Sequence, residues 1–212
     1  MKEVTFAEGE IQWSPTDNDK YKSEKPDFKT PIKPSFKPPE SVKTIYTDGG
    51  SRILQTPDRK RYVGAWSFYD QNTGETFGEA CDDSTNNMME LTAVIKAIEY
   101  LDKLGIPKDR WCTIVLDSDY VRFGILFWCK KWEANGWVKK DSYGNSQEIK
   151  NLDLWKKLND LNKSRKIYYE KVAGHSGDEG NERVDIECRM LMDQFIKDND
   201  IQIIRGSKHN GH

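Results

Sequence analysis

The stretch Lys43-Thr44-Ile45-Tyr46-Thr47-Asp48-Gly49-Gly50 decides the fold of this chain. Its β-branched and aromatic residues predict a strand over 43–48 that runs into a glycine turn. Because side chains alternate between the two faces of a strand, we expect Asp48 on the face opposite Ile45. An Asp-Gly pair after a strand is also a strong turn signal. Taken alone, Asp48 is therefore better explained by a turn than by catalysis.

The rest of the chain predicts four more strands and four helices. Strands over about 62–69 and 75–81 flank a polar hairpin loop, the apolar run 111–116 predicts a buried parallel strand, and 166–172 predicts a fifth strand. Apolar residues at helical spacing predict helices over 87–104, from Asp119 through Trp132, over 151–163 and over 179–197. The order βββαβαβα predicts an α/β fold in which helices cover a five-stranded mixed sheet.

Composition excludes several classes of protein. No apolar run approaches the ~18 residues of a membrane span, and the first residues lack the apolar core of a signal peptide. The four cysteines are widely spaced, which argues against a zinc ribbon or a disulfide scaffold and for a reducing compartment. We therefore expect a cytoplasmic monomer without a membrane partner, located in the host cell cytoplasm if the source is viral. With a net charge of −2, any nucleic-acid surface must be a local basic patch.

The composition divides the chain into three parts. Residues 1–42 hold six of the eight prolines and are predicted to be largely extended. Their five aromatic residues indicate that part of the segment lies against the folded domain, and Pro31-x-x-Pro34 is a weak match to an SH3-type ligand. An unidentified partner for this segment is left open. We expect the folded domain over 43–200 and a polar tail over 201–212.

Four acids occupy comparable places in the predicted fold: Asp48, Glu90, Asp117 and Asp185. Each also has a structural explanation: Asn87 and Glu90 have the spacing of a capping box, Asp117 could cap a helix or form a turn, and Asp185 could be a solvated helix acid. All four nevertheless lie at strand ends or in the first turns of helices, where a mixed sheet presents side chains to a ligand.

Four motifs resemble type 1 ribonuclease H in order and approximate spacing. They are Thr47-Asp48-Gly49-Gly50, Thr85-Asn86-Asn87-Met88-Met89-Glu90-Leu91, Leu116-Asp117-Ser118-Asp119-Tyr120-Val121, and Val172-Ala173-Gly174-His175 with Asn181-Glu182-Arg183-Val184-Asp185. The resemblance covers about residues 43–197. It implies a catalytic domain with helices on both faces of the sheet.

The resemblance also implies an activity, namely endonucleolytic hydrolysis of the RNA strand of RNA–DNA hybrids, giving 5′-phosphate and 3′-hydroxyl products. Two Mg²⁺ ions about 3.5–4 Å apart can activate water and neutralise charge on the phosphate, with Mn²⁺ as a substitute. By the resemblance, Asp48 bridges both ions, Asp185 helps to hold the ion that delivers water, and Glu90 and Asp117 hold the ion at the leaving 3′-oxygen.

Other positions match residues with roles in the family. His175 lies between Gly174 and Ser176-Gly177, and it matches a mobile histidine that assists proton transfer or product release; a surface loop histidine without a role is the alternative. Asn86 and Asn87 match residues that reach the minor groove of the hybrid, where 2′-hydroxyls distinguish RNA from DNA. Thr85 matches a contact to a DNA phosphate.

Residues 128–140 interleave tryptophans with four lysines and one acid. They match the basic protrusion that grips the DNA strand in the family, and phosphate neutralisation of this kind is independent of sequence. The alternative for Trp128 and Trp132 is a stripe that faces the core, since they are four residues apart. The residues predicted to bind substrate here are Trp128, Lys130, Lys131, Lys139 and Lys140.

The sequence departs from the family at a few places. Residues 51–61 replace a glycine-rich loop, and Asp119 stands where many members carry an amide. Integrases, resolvases and transposases share this fold and its two-metal chemistry, but they lack the Gly-His loop together with the Trp/Lys protrusion. A non-catalytic nucleic-acid-binding domain would be indicated by the loss of one acid, and all four acids are present.

Overall fold

The computed structural model describes residues 40–141, 143–174 and 177–204. The predictions for residues 1–39, His175 and residues 205–212 lie outside the described residues. The strands are β1 Lys43–Gln55, β2 Lys60–Asp70, β3 Glu75–Asp82, β4 Cys112–Leu116, β5 Lys139–Lys140, β6 Ser146–Gln147 and β7 Ile167–Lys171. The helices are α1 Asn86–Lys103, α2 Asp119–Phe123, α3 Cys129–Ala134, α4 Leu152–Ser164 and α5 Glu179–Asp198, with a π-helical turn, Gly124–Trp128, between α2 and α3.

Five strands form one mixed sheet in the order β3-β2-β1-β4-β7. β2 pairs antiparallel with β1 and with β3, whereas β4 pairs parallel with β1 and with β7. All five residues of β4 are buried, as expected for a central parallel strand. The predicted α/β class and the five-stranded mixed sheet are confirmed.

β1 is longer than predicted, and the prediction of a turn at Gly49-Gly50 was wrong. The strand continues to Gln55, and Gly49 and Gly50 pair with Trp66 and Ala65 of β2. The glycines serve close packing instead of a turn. A Cβ on Gly49 would lie 2.1 Å from the backbone nitrogen of Glu90, so only glycine allows α1 to approach the strand this closely.

Helices cover both faces of the sheet. Gly49 faces the start of α1, whereas its neighbour Gly50 faces Met192 of α5. Since adjacent residues of a strand point to opposite faces, α1 and α5 lie on opposite sides. The larger core forms on the α1 face, where Ile45, Leu91 and Trp155 are fully buried. A smaller core on the α5 face joins the strands to Cys188, Met192 and Ile201.

The helical stretch predicted after Asp119 is present as α2, the π-helical turn and α3. A Cβ on Gly124 would lie 1.8 Å from the buried ring of Trp155, so this helix packs against α4 at a position that requires glycine. The hairpin of β5 and β6 was not predicted, because two-residue strands carry no periodic pattern. Within the described part of the chain, no helix is both long and apolar enough to span a membrane.

Candidate active site

Three of the four predicted acids converge at one edge of the sheet. Carboxylate oxygens of Asp48, Glu90 and Asp117 all lie within 4.8 Å of one another. Asp48 lies in β1 and Asp117 directly follows β4; because Thr47 pairs with Leu116, the parallel register brings the two aspartates to the same level. The site therefore forms where β4 ends and β1 continues beyond it.

Glu90 reaches the cluster through the close contact of α1 with Gly49. The helix begins at Asn86, and the side chain of Thr85 accepts a hydrogen bond from the backbone nitrogen of Met88 (3.4 Å). The alternative that Asn87 and Glu90 form a capping box was therefore wrong, since Thr85 is the N-cap. Glu90 is instead buried beside the two aspartates.

The cluster holds unfavourable negative charge in the absence of a cation. Burial raises the pKa of Glu90 well above its ordinary value, and the charges of Asp48 and Asp117 raise it further. The charge of Lys171 and a hydrogen bond from Asn86 lower this pKa in part. Three close carboxylates supply only oxygen ligands, which are the ligands that Mg²⁺ and Mn²⁺ accept. This donor set fits a divalent cation.

Two residues that the sequence did not single out support Asp117. The side-chain nitrogen of Asn181, a buried residue of α5, lies 3.4 Å from the Asp117 carboxylate and donates to it. The ammonium of Lys171 donates to the backbone carbonyl of Asp117 and pairs with Asp119 at 3.3 Å. Asn181 belongs to the motif Asn181-Glu182-Arg183-Val184-Asp185. No local sequence pattern predicts its contact with Asp117 or that of Lys171, because both partners are more than 50 residues away in sequence.

Asp185 lies in α5 and does not belong to the group of three carboxylates. Its carboxylate accepts a hydrogen bond from Arg189, one turn further along the helix, at 2.7 Å. The helix itself contacts the site, because the thiol of Cys188 donates to the carbonyl oxygen of Asp48 at 3.5 Å. A metal-binding role for Asp185 stays a prediction.

The residues predicted to bind substrate lie on two surfaces. Thr85, Asn86 and Asn87 are exposed at the start of α1, beside Glu90. Lys130, Lys131, Lys139 and Lys140 are exposed on α3 and β5. Trp128 instead packs in an aromatic cluster, with ring centroids 5.8 Å from Trp132 and 6.3 Å from Trp155, which favours the core-facing alternative.

Comparisons with known proteins agree with this fold. A family model described as RNase H matches residues 40–210. Ribonuclease H of Ruthia magnifica subsp. Calyptogena magnifica is 39% identical over 151 residues, which cover 71% of this chain and 95% of that protein. Ribonuclease H of Maricaulis maris is 38% identical over 145 residues, which cover 68% of this chain and 89% of that protein.

Two solved structures show the same fold at lower identity. A foamy viral protease-reverse transcriptase in complex with dsDNA matches with a TM-score of 0.57 and 22% identity, covering 72% of this chain and 95% of the other. LC9-RNase H1, a type 1 RNase H with the type 2 active-site motif, matches with a TM-score of 0.55 and 19% identity, covering 72% and 73%. The match to the family model, together with the identity of 38–39% to the ribonucleases H of Ruthia magnifica and Maricaulis maris, shows that the chain belongs to the ribonuclease H family.

Proposed function

We propose that this protein is an endoribonuclease that hydrolyses the RNA strand of RNA–DNA hybrids with two divalent metal ions, leaving 5′-phosphate and 3′-hydroxyl ends. Membership of the ribonuclease H family supports nuclease activity on the RNA strand of hybrids. The observation that carries the finer proposal is the convergence of Asp48, Glu90 and Asp117 within 4.8 Å. Acids that only cap helices or form turns would not be expected to bring three carboxylates together at one site.

The carboxylates of Asp48, Glu90, Asp117 and Asp185 would hold the cations. When bound, two Mg²⁺ ions supply Lewis acidity to the scissile phosphate and lower the pKa of an attacking water. Asp48 lies in β1, which packs against α1 at Gly49 and pairs with β4, so it would hold a cation together with Glu90 and Asp117. Asp185 belongs to the proposal through the resemblance of its motif, and its ion pair with Arg189 must open or adjust for it to act as a ligand.

The remaining contacts orient the ligands and the substrate. Asn181 and Lys171 hold the side chain and the backbone of Asp117 from two directions, so its carboxylate is fixed before a cation binds. Asn86 and Asn87 are exposed beside Glu90, where their amides can donate to and accept from a ribose 2′-hydroxyl. The exposed lysines of α3 and β5 neutralise DNA phosphates. His175 would carry a proton to or from the reacting oxygens.

A cleavage assay with end-labelled RNA–DNA hybrid, double-stranded DNA and double-stranded RNA tests the proposal. We expect cleavage of the RNA strand of the hybrid in Mg²⁺ or Mn²⁺ and none in EDTA. Products should accept ligation at a 5′-phosphate without prior phosphorylation. Cleavage or joining of double-stranded DNA would indicate the integrase-like alternative. Hybrid binding without cleavage in either metal would indicate a non-catalytic binding domain.

A further inference from the structure

The hairpin of β5 and β6 joins α3 to α4 and is attached to the core on both sides. Trp137, which precedes β5, packs against the larger core, and Lys156 lies 6.0 Å from its ring. Ile149, which follows β6, is buried in the same core. The base of the hairpin is therefore fixed, whereas every residue of the two strands is exposed.

Tyr143 lies at the tip of this hairpin and is 89% exposed, more than any other large apolar side chain of the described residues. Asp141 holds the backbone of Tyr143 and Asn145, because its carboxylate accepts hydrogen bonds from the backbone nitrogens of both residues at 2.9 Å. A second oxygen of Asp141 accepts from the side chain of Asn145 at 3.2 Å. Because these contacts already hold the backbone of Tyr143 and Asn145, a ligand that contacts the ring loses little affinity to ordering of these two residues.

The surroundings of Tyr143 suit a polyanion. Lys139, Lys140 and Lys150 are exposed on either side of the loop. Five lysines stand against three acids over residues 128–150. Two of these acids are already engaged, since Asp141 binds its own loop and Glu133 pairs with Lys163. The charge that remains toward solvent is positive.

We propose that the tip of this hairpin binds an unpaired, single-stranded extension of the hybrid, with one base stacked on Tyr143 and the neighbouring phosphates beside Lys139 and Lys140. An exposed aromatic ring among lysines is the usual arrangement for binding single strands, because every base offers a π-face. Bases inside a duplex are already stacked on one another, so their faces are closed to the ring. The proposal rests on the proposed function, which supplies the hybrid beside the extension.

Binding in EDTA, measured by fluorescence anisotropy, tests the proposal without cleavage. The probes are a blunt hybrid and the same hybrid with a five-nucleotide extension of DNA or of RNA, at the 5′ or the 3′ end. A further probe carries the extension with abasic sites, which keeps the phosphates and removes the bases. The variants are Tyr143→Ala, Tyr143→Phe, and Tyr62→Ala as a control at an exposed aromatic residue on β2.

The wild type should bind one of the extended hybrids about fivefold more tightly than the blunt hybrid. This factor is at the lower end of the affinity gain that one base stacked on an aromatic ring contributes. Tyr143→Ala and the abasic extension should each remove this difference, whereas Tyr143→Phe and Tyr62→Ala should keep it. Whether the DNA or the RNA extension gives the gain identifies the strand. Equal affinity of the wild type for blunt and extended hybrids, or an unchanged gain in Tyr143→Ala, would overturn the proposal. Cleavage of the blunt hybrid in Mg²⁺ reports the proposed function separately.

Discussion

The carboxylate cluster and the lysine-rich segment 128–140 are built in different ways, although both face the same kind of ligand. Asp48 and Asp117 extend from central strands of one sheet, and Glu90 comes from a helix held against Gly49 at contact distance. The lysines stand on a short helix and a two-residue strand, and all four are exposed. Metal coordination depends on ligand positions to within a few tenths of an ångström, so it needs rigid elements. Attraction between lysines and phosphates acts over about 8–10 Å, so an approximate placement suffices.

This comparison predicts the largest losses for substitutions in the cluster. Asp48→Asn and Asp117→Asn should each lower kcat/KM for a hybrid by at least about 1,000-fold, because each removes a charged ligand of the proposed cations. Circular dichroism and the Tm should show an intact fold. Asp109→Asn, at an exposed acid, serves as the control. Turnover close to wild type in either cluster variant would contradict the two-metal proposal.

A smaller effect is expected at the glycine that brings α1 to the sheet. In Gly49→Ala the new methyl group would lie 2.1–2.6 Å from backbone atoms of Met89 and Glu90, so α1 must shift and carry Glu90 with it. We expect a cost of about 1–3 kcal/mol in the free energy of unfolding and a clear loss of cleavage.

Gly50→Ala is the matched control for this substitution, because its new methyl group would meet only the flexible end of Met192, at 3.5 Å. Equal Tm values and equal rates for the two variants would show that the approach of α1 is not what places Glu90.

The same contrast separates what the sequence could predict from what it could not. Alternation and helical spacing located the five sheet strands and the helices, because each pattern records which face is buried. The continuation of β1 through Gly49-Gly50 was missed, since an Asp-Gly-Gly run favours a turn unless a helix packs against it. The support that Asn181 and Lys171 give to Asp117 depends on contacts between elements more than 50 residues apart in sequence, and periodicity carries no record of such contacts.

Substitution of the lysines should act on binding instead of catalysis. Changing Lys130, Lys131, Lys139 and Lys140 together to Ala should weaken hybrid binding and flatten the dependence of log Kd on log salt concentration by about 0.7–0.9 for each lost phosphate contact. The value of kcat at saturating substrate should change little. As a control, Lys157→Ala removes a lysine of α4 that already pairs with Glu99 of α1. An unchanged salt slope in the fourfold variant would show that these lysines form only a solvated surface.

A further prediction concerns the stability of the metal-free protein against pH. The pKa of Glu90 is raised in the folded state, so the folded protein binds this proton more tightly than the unfolded chain. The stabilisation is present at low pH and is lost as the pH rises from the ordinary glutamate pKa through the raised value. In EDTA near pH 7, Glu90→Gln should therefore have a higher Tm than the wild type, and the difference should shrink toward pH 4.

Glu99, also in α1, gives the opposite control. Burial raises its pKa, but the hydrogen bonds and charges of Lys157 and Lys96 together lower it more, so the net shift is downward. Glu99→Gln should therefore lower the Tm at neutral pH and have less effect in acid. Addition of Mg²⁺ should raise the Tm of the wild type more than that of Glu90→Gln. A Tm of Glu90→Gln below that of the wild type in EDTA at pH 7 would show that the charge of Glu90 does not destabilise the metal-free protein.

The smallest effect on chemistry is expected from removal of the proline-rich segment. All four motifs lie downstream of residue 42, so a chain that starts at Ser41 should keep metal-dependent cleavage of hybrids with kcat/KM within about threefold of the full chain, a difference of less than about 0.7 kcal/mol. Ser41 itself should stay, because its hydroxyl lies 2.6 Å from that of Thr113 in β4, and Val42 donates to the carbonyl of Trp111 at 2.9 Å. The difference in Tm between the two chains reports whether the five aromatic residues upstream pack on the domain. A shortened chain that melts cooperatively but no longer cleaves hybrids would show that residues 1–40 supply part of the substrate site. Substrate binding would then depend on three regions: the lysine-rich segment 128–140, the carboxylate cluster and the N-terminal segment.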